Sequence, residues 1–289
     1  MRGVGLGSVL VEGSVAIMTT SPSPTRPDVP RGEAIERPEA ARVTMLVPGV
    51  ELRSLAGAQN GAQGLFTGLL SLAPGASYPY YARPFTEAII ALEGEAGVDV
   101  EDRRYRLGLL DAVAVPARQP RRVVNLSPNQ PAVLHVAMAS AAPEQTWING
   151  RFTPVEQPDG ATGRAGAEQV RRLTAAPPIE LAHGALSQDL YNAELGTRGI
   201  CGGYGRFEPG ARLPCHRHEC DESITIVQGT ATCVVEGRRY ELSGRATAMV
   251  PRGRCHYFIN LTLEPMAMIW AYAGDMPDRI IVDESCCRQ

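Results

Sequence analysis

Apolar positions from residue 43 onward fall in short runs rich in β-branched residues, and Gly, Pro, Asn and Asp separate one run from the next. Short runs bounded by turn-forming residues are typical of the strands of an all-β sandwich or barrel. The exception is the stretch from Ala165 to Leu173, for which we predict a short helix. No apolar run approaches the roughly 18 residues of a membrane-spanning helix. The pattern therefore predicts an all-β globular protein.

The segment 1–42 differs from the rest of the chain in composition. It is rich in Ser, Pro, Gly and charged residues, with the sequence SPSPTRPDVP at positions 21–30. Such a segment buries too little apolar surface to fold by itself, so we predict that residues 1–42 are disordered or loosely attached. The apolar stretch from Val4 to Met18 is interrupted by Glu12 and glycines and lacks a convincing cleavage site, which argues against a secretory signal. Met18 offers an alternative start of the chain.

The chain repeats itself at a fixed offset, which is the separation of Val100 from Val235. The segment VEDRRYRL, which begins at Val100, reappears as VEGRRYEL from Val235. Single positions recur at the same offset as the pairs Gly75 and Gly210, Glu87 and Glu222, Gly94 and Gly229, Pro116 and Pro251, and Asn125 and Asn260. After a one-residue slip, 137–149 corresponds to 271–283. This period is too long for a solenoid repeat and predicts two copies of one β domain, at 43–149 and 183–289, with a linker at 150–182.

Charge adds little to this prediction. The chain has 28 basic residues, all of them Arg, with a net charge of −3 and an isoelectric point near 6.0. No basic field that would attract nucleic acid or acidic lipid is expected, so we predict a small-molecule partner, with no nucleic acid and no membrane. The Arg pairs at 103–104 and 238–239 follow Glu-Asp and Glu-Gly steps, and we interpret them as markers of a hairpin turn.

The second copy concentrates the candidate chemistry in two short motifs. His216 and His218 share a face if they lie on one strand, because strand side chains alternate. Glu222 follows a turn and returns on the next strand, and His256 comes from a separate hairpin. Three neutral imidazoles and one carboxylate suit a divalent transition metal, so we predict that these four residues are its ligands. The two other histidines match no motif and are expected to be packed or solvated imidazoles: His135 and His183.

The spacing of these motifs resembles the paired signature motifs of the cupin superfamily, and the repeat makes the chain resemble a bicupin. The positions that carry the resemblance are Gly210, His216, His218, Glu222 and Gly229, followed by Pro251, Gly253, His256 and Asn260. The resemblance covers about residues 45–285. It implies two tandem cupin (jelly-roll) β-barrels joined by the linker with the short helix, and ligands that converge inside a barrel. It also implies an internal dimer of barrels, so the chain is expected to be a monomer or a homodimer.

The first copy lacks the same ligands. Tyr81, Arg83, Glu87 and Arg121 occupy the positions of the four candidate ligands in the second copy. A permanently charged guanidinium cannot ligate a metal, so the N-terminal barrel is predicted to be metal-free. We favour pairing of Arg83 and Arg121 with Glu87 inside the barrel. The alternative is a pocket for a carboxylate or phosphate.

All seven cysteines lie after residue 200, which is unlike a disulfide framework that would staple the whole molecule. We therefore predict free thiols and a cytoplasmic location. Cys215 and Cys255 directly precede candidate ligands and should point away from the metal if both lie on strands. Cys286 and Cys287 are expected to lie in a loose tail.

Three histidines and one glutamate leave two open positions on a six-coordinate ion, enough for a chelating substrate, or for substrate with dioxygen or water. The expected cofactor is one divalent transition metal, iron or manganese first, with nickel, copper or zinc as alternatives. The resemblance implies a metal-dependent enzyme acting on a small polar or chelating molecule at the C-terminal barrel, in the first place an oxygenase or dioxygenase. The alternatives are a non-redox isomerase, decarboxylase, lyase or hydrolase, and a non-catalytic binding protein. Glu222 is the candidate for a second role as a catalytic base.

Strand position also suggests which side chains line the C-terminal barrel: Tyr204, Arg206, Thr225, Met249, Tyr257, Trp270 and Tyr272. An activity like that of oxalate decarboxylases is less expected, because such bicupins usually carry two metals.

Overall fold

The computed structural model of the chain describes residues 32–158 and 166–288. The prediction of disorder at residues 1–31 therefore lies outside the described residues. The strands of the first half are β1 (Ala34–Glu36), β2 (Val43–Val47), β3 (Val50–Ala56), β4 (Phe66–Leu72), β5 (Ser77–Ala82), β6 (Glu87–Glu93), β7 (Ala96–Val100), β8 (Arg103–Leu107), β9 (Ala112–Val115), β10 (Arg121–Asn125), β11 (Ala132–Met138), β12 (Thr146–Trp147) and β13 (Val155–Glu156).

The strands that follow are β14 (Gln169–Arg171), β15 (Ile179–Ala182), β16 (Ala185–Tyr191), β17 (Cys201–Phe207), β18 (His216–Arg217), β19 (Glu222–Gln228), β20 (Thr230–Val235), β21 (Arg238–Ser243), β22 (Thr247–Val250), β23 (His256–Ile259), β24 (Met266–Tyr272) and β25 (Ile280–Ile281). Short 3₁₀ helices lie at Ala58–Asn60, Leu173–Ala175 and Glu284–Cys287. Among the residues that the structure describes, no helix is long and apolar enough to cross a membrane.

The strands form two jelly-roll barrels, each made of two sheets. The sheets of the N-terminal barrel run β14-β9-β6-β11-β4-β3-β2 and β12-β5-β10-β7-β8-β13, and those of the C-terminal barrel run β1-β22-β19-β24-β17-β16-β15 and β21-β20-β23-β18-β25. Equivalent strands such as β4 and β17 are separated by the repeat offset found in the sequence. For β11 and β24 the separation is shorter by a single position, which is the slip also found in the sequence. The all-β class and the two tandem barrels are confirmed.

The central strands are buried on both faces. On β6, Ile89 and Ala91 pack in the core of the N-terminal barrel. Their neighbours Ala88, Ile90 and Leu92 pack in a second core, which also contains residues of the C-terminal barrel. A strand buried on both faces reads as a continuous apolar run instead of an alternating one. The second core therefore joins the large sheets of the two barrels.

The repeated motif residues that are not candidate ligands stabilise the ends of the barrels. Gly94 and Gly229 have φ of 73° and 67°, in the left-handed region that favours glycine. The buried side chain of Asn125 donates to the carbonyls of Ala73 and Gln130, at 3.0 and 2.8 Å. In the second copy, Asn260 donates to the carbonyls of Phe207 and Glu264. These residues stabilise the loops of each barrel. This role needs no metal, which explains why the same residues recur in the copy that lacks the histidines.

The barrels exchange strands. The strand β1, which precedes the N-terminal barrel, pairs with β22 of the C-terminal barrel. The strand β14, which lies in the linker, pairs with β9 of the N-terminal barrel. Since β9 and β22 would otherwise be edge strands, each barrel covers an exposed edge of the other. Four strands of the two barrels thus lie in segments predicted to be outside them: β1 in the segment 1–42, and β13, β14 and β15 in the linker 150–182.

A buried carboxylate anchors each exchanged strand. Glu168 accepts hydrogen bonds from Arg103 and Tyr105, both at 2.6 Å. Glu33, which is the counterpart of Glu168 at the repeat offset, accepts from Arg238 at 2.5 Å and from Tyr240 at 2.7 Å. The Arg pairs therefore do more than mark a hairpin turn. Arg103 also binds the segment that carries β14, and Arg238 binds the segment that carries β1.

The linker is not helical where we predict a helix. Residues 159–165 lie outside the described residues. Within the stretch ending at Leu173, β14 is a strand, and helical structure follows only as the 3₁₀ turn Leu173–Ala175. Pairing with β9 satisfies the backbone groups of β14 in a sheet, and this tertiary contact outweighs the local preference for helix.

Two disulfides contradict the prediction that all seven cysteines are free. Cys215 pairs with Cys287, and Cys255 pairs with Cys286. Cys215 and Cys255 each lie one residue before a strand, and they pack with Cys286 and Cys287 of the 3₁₀ helix at the end of the described chain. The expected loose tail is therefore tied to the barrel. The free thiols are those of Cys201, Cys220 and Cys233.

Candidate metal centre

The four predicted ligands lie together inside the C-terminal barrel. One ligand atom each from His216, His218, Glu222 and His256 falls within 4.8 Å of the others. His216 and His256 are direct partners across β18 and β23, while Glu222 begins β19. All four residues are at most 4% exposed. Strand pairing thus assembles the cluster from three different strands and the loop after β18.

Backbone carbonyls fix the orientation of the three imidazoles. Nδ1 of His216 lies 2.8 Å from the carbonyl of Pro214, and Nδ1 of His256 lies 3.0 Å from that of Arg254. Nδ1 of His218 faces the carbonyl of Asp278. A carbonyl can only accept, so each Nδ1 carries the proton and each Nε2 is left as a lone-pair donor.

The Nε2 atoms fit a metal ion. Nε2 of His218 is buried 3.3 Å from Oε2 of Glu222, without the alignment of a hydrogen bond to it or to any other described residue. Nε2 of His256 lies 2.7 Å from Oε2 of Glu222, although its Nδ1 already faces an acceptor. A neutral imidazole has one proton and cannot serve both acceptors. A cation between the imidazole and the carboxylate satisfies both groups, which makes the donor set suitable for a divalent transition metal.

The electrostatics of the cluster favour a bound cation. Burial, together with the neighbouring His256, lowers the pKa of His216 to about 2. Burial alone would raise the pKa of Glu222, but His218 and His256 outweigh it and hold this pKa well below its ordinary value. For His218, burial lowers the pKa, but Glu222 outweighs burial and the pKa is raised. The cluster therefore presents a carboxylate anion beside at least one neutral imidazole.

A small cavity of about 20 Å³ reaches the cluster at His216 and Glu222, and it adjoins a larger cavity of about 170 Å³. Its other walls are Leu181, Leu186, Ser187, Gly205, Phe207, Leu213, Phe258, Met268, Trp270, Tyr272 and Arg279. The larger cavity shares Leu181, Ser187, Trp270, Tyr272 and Arg279 with the first. The two adjoin and together extend from the cluster past Arg279.

The polar side chain of Tyr272 lies next to the cluster of predicted ligands. It is the cross-strand partner of Glu222, and its ring centroid lies 4.6 Å from that of His218. Burial and the charge of Glu222 raise its pKa well above the ordinary value, so Tyr272 keeps its phenolic proton. It can donate a hydrogen bond to a molecule in the cavity.

Only Trp270 and Tyr272 of the predicted lining residues line this cavity. Arg206 lies on the opposite face of β17 and pairs with Glu208, and Thr225 lies against His135 of the other barrel. The others are also elsewhere: Tyr204, Met249 and Tyr257. Sequence reasoning missed Arg279, because it follows the last long strand and belongs to neither motif. A possible signal is its position in the second copy, directly after Asp278, whose carbonyl holds His218.

The equivalent cluster of the N-terminal barrel is closed by ion pairs. Glu87 accepts from Arg83 at 2.8 Å, from Tyr81 at 2.9 Å and from Arg121 at 3.3 Å. Arg83 also donates to the carbonyl of Glu144 at 2.9 Å. The predicted pairing of both arginines with Glu87 is confirmed. Within the described residues, the His, Cys, Asp and Glu side chains that could together hold a metal are the four of the C-terminal barrel.

Comparison with known proteins agrees with this architecture. The cupin domain family matches residues 68–138 and again residues 203–272. Oxalate decarboxylase of Bacillus subtilis, solved at pH 4.6, has 16% sequence identity and a TM-score of 0.68, covering 86% of this chain and 78% of that one. The formate complex of Lactobacillus farciminis oxalate decarboxylase has 14% identity and a TM-score of 0.70, covering 86% and 88%. No curated protein matches the chain in sequence.

The two matches each cover the middle of one barrel and include the candidate ligand Glu222 or its counterpart Glu87. At this level of identity the solved structures share the fold with the chain. The chain is a member of the cupin superfamily, a bicupin of two tandem cupin domains in which both barrels have the glutamate but only the C-terminal barrel has the three histidines beside it.

Proposed function

We propose that the chain is a metal-dependent enzyme that acts on a small polar or chelating molecule at the C-terminal barrel by non-redox chemistry. The observation that carries this proposal is the buried cluster of three histidines and one glutamate at the end of a cavity. Two solved proteins that share the fold are decarboxylases by name, which supports a lyase-type reaction over an oxidation.

In this proposal His216, His218, His256 and Glu222 hold one divalent ion, with iron or manganese favoured and nickel, copper or zinc as alternatives. The ion supplies Lewis-acid polarisation of a substrate oxygen when it is bound. The backbone carbonyls that face each Nδ1 keep the imidazoles in place. Tyr272 donates a hydrogen bond to the substrate, and Glu222 is the residue proposed for a second role as a base. The apolar walls exclude water from the reacting group.

An oxygenase or dioxygenase is the second candidate. The observation that favours it is the apolar wall formed by Phe207, Phe258 and Met268, which suits dioxygen as a second ligand beside the substrate. The two candidates differ in whether turnover needs oxygen. A non-catalytic binding protein is the third possibility, and it requires that ligand binding survive the loss of the metal.

The test is metal analysis followed by turnover with and without oxygen. The purified chain should hold close to one transition metal ion, and a screen of chelating carboxylates and diketones should give turnover that is equal under air and argon. His218→Ala should lose most of the metal, whereas His183→Ala is the matched control because His183 is exposed. Oxygen consumption that matches product formation would favour the oxygenase. A chain that neither purifies with metal nor can be loaded would contradict the proposal.

Two further predictions concern the setting of the protein. The monomeric or homodimeric state stays a prediction, to be measured by light scattering. The cytoplasmic location also stays a prediction, but it loses its support, because four of the seven cysteines are paired and disulfides persist mainly in oxidising compartments.

A further inference from the structure

Arg279 brings an unpaired cation to the cavity. Its Nε is buried and has no hydrogen-bond partner among the described residues. Asp189 and Asp278 line the adjoining cavity with it, but each already has a donor. Asn192 donates to Asp189 at 2.9 Å, and the backbone N–H of Glu219 donates to Asp278 at 3.0 Å. A guanidinium whose enclosed Nε–H is unused is suited to bind an anion, most directly a carboxylate.

The wall between Arg279 and the metal cluster is mostly apolar. Its members are Leu181, Leu186, Phe207, Leu213, Phe258, Met268 and Trp270. The wall is closely packed at Gly205, since a Cβ at that position would lie 3.2 Å from Cγ of Met268. A ligand that fills the space must therefore offer apolar surface, because a polar atom placed there would lose its water without gaining a partner.

We propose that the substrate is a small organic acid with one carboxylate and an apolar body. The carboxylate binds to Arg279, the apolar body packs against Leu181 and Trp270, which line both cavities, and a second oxygen faces the metal cluster. This inference rests on the proposed function and specifies its substrate class. Oxalate fits poorly, because both of its ends are charged and it has no surface to place against the apolar wall.

The first experiment is a binding series on the full-length, manganese-loaded protein, measured by calorimetry. The probes are oxalate, pyruvate, 2-oxobutanoate and 2-oxopentanoate, which share a carboxylate and a neighbouring oxygen. Affinity should rise about two- to fourfold with each added methylene, as expected for burial of apolar surface. Binding of oxalate as tight as that of 2-oxopentanoate, or affinity that is flat along the series, would overturn the proposal.

The second experiment tests Arg279 directly. Arg279→Met should weaken 2-oxopentanoate binding about 10- to 100-fold, as expected for the loss of a charge-assisted hydrogen bond. Arg206→Met is the matched control, since Arg206 lies on the same barrel but points out of it and pairs with Glu208. Unchanged affinity in Arg279→Met would overturn the assignment of the carboxylate site.

A third variant covers the case in which Arg279→Met does not fold. Leu181→Gln should reduce the gain in affinity with chain length, because it replaces apolar surface that lines both cavities with a polar amide. An undiminished gain in this variant would contradict the proposed position of the apolar body. Metal content is measured for every variant. Loss of metal from the wild-type chain would count against the proposed function, whereas normal metal content with an altered binding series concerns the substrate class alone.

Discussion

At the scale of single residues, the two barrels surround equivalent glutamates with different partners. Glu222 lies among three imidazoles whose Nε2 atoms are free to bind a cation. Glu87 is neutralised by Arg83 and Arg121, whose guanidinium groups are already positively charged. Both arrangements satisfy a buried carboxylate, but only the first needs an added ion. The loss of the metal in one copy therefore did not require the loss of its glutamate.

Arg83→Met should destabilise the N-terminal barrel. It removes the 2.8 Å ion pair to Glu87 and leaves a buried carboxylate with fewer partners, for which a loss of about 3–5 kcal/mol in the free energy of unfolding is expected. Urea denaturation measures the loss, with Arg118→Met as the control because Arg118 is exposed. Metal content should stay unchanged. A loss below about 1 kcal/mol would show that the pair contributes little.

His135 should make the stability depend on pH. It is 1% exposed where β11 meets the other barrel, and burial lowers its pKa from 6.5 to about 4. Between these values the unfolded chain binds a proton that the folded protein does not, so stability is full above pH 6.5 and falls as the pH decreases toward 4.

His135→Leu should remove this dependence. The decrease in the free energy of unfolding between pH 7 and pH 4 should be smaller by about 3 kcal/mol in the variant than in the wild type. Chemical denaturation at several pH values gives the difference. Parallel stability curves for the two proteins would mean that His135 does not titrate in this window.

At the scale of elements, the predictions for single residues are correct where the sequence shows which face of a strand points into the barrel. The motifs fixed His216, His218 and Glu222 on inward positions, and the structure places them there. Outside the motifs, alternation gives two faces but does not say which face is inside when both are buried. Arg206 and Thr225 were therefore assigned to the wrong face.

The exchange of β1 and β14 was not predicted, although the sequence contained a sign of it. Glu33 and Glu168 recur at the same repeat offset as the Arg pairs that they bind. Taken alone, neither glutamate indicates a strand, because one lies in a Pro-rich segment, the other lies in the predicted linker, and their arginine partners are distant in sequence. Whether such a segment forms a strand depends on an unpaired sheet edge elsewhere in the fold more than on the sequence of the segment itself.

Glu33→Gln should loosen β1 from the C-terminal barrel. Burial raises the pKa of Glu33, but the hydrogen bonds from Arg238 and Tyr240 outweigh it and bring the pKa from 4.5 to about 2. The carboxylate therefore contributes stability that is complete above pH 4.5 and is lost as the pH falls toward 2. Hydrogen exchange of the β1 and β22 amides should become faster in the variant at neutral pH. Glu39→Gln, at an exposed position, is the control. Equal exchange in all three proteins would contradict the anchoring role.

At the scale of the whole molecule, the repeat predicted the architecture, and the cysteines were misread. Two barrels, their strand-by-strand offset and the arginines that replace histidines in the first copy all follow from comparing the two halves of the sequence. The disulfides could not be found in this way, because the first copy has no cysteines to compare. Their pairing depends on where the 3₁₀ helix at Glu284–Cys287 packs, which is a property of the folded barrel.

The disulfides predict a thiol count. Alkylation of the unfolded chain without reductant should modify three cysteines, and alkylation after reduction should modify seven. Cys286→Ser combined with Cys287→Ser should lower the free energy of unfolding by about 2–5 kcal/mol and weaken metal binding, since the partner cysteines directly precede His216 and His256. Cys220→Ser is the control, since Cys220 is unpaired. Seven modified cysteines without reductant would contradict the pairing.

The exchange of β1 sets an order of events on the ribosome. Glu36 is made long before its partner Thr247, by an interval of about 10–40 s at usual rates of translation. The N-terminal barrel receives its last strand, β14, while the second barrel is still unmade. The C-terminal barrel instead needs the earliest strand of the described chain together with Cys286 and Cys287, which are made after all of its strands. A nascent chain that stops before β24 would therefore contain a finished first barrel and a second barrel that still lacks a central strand and both disulfides.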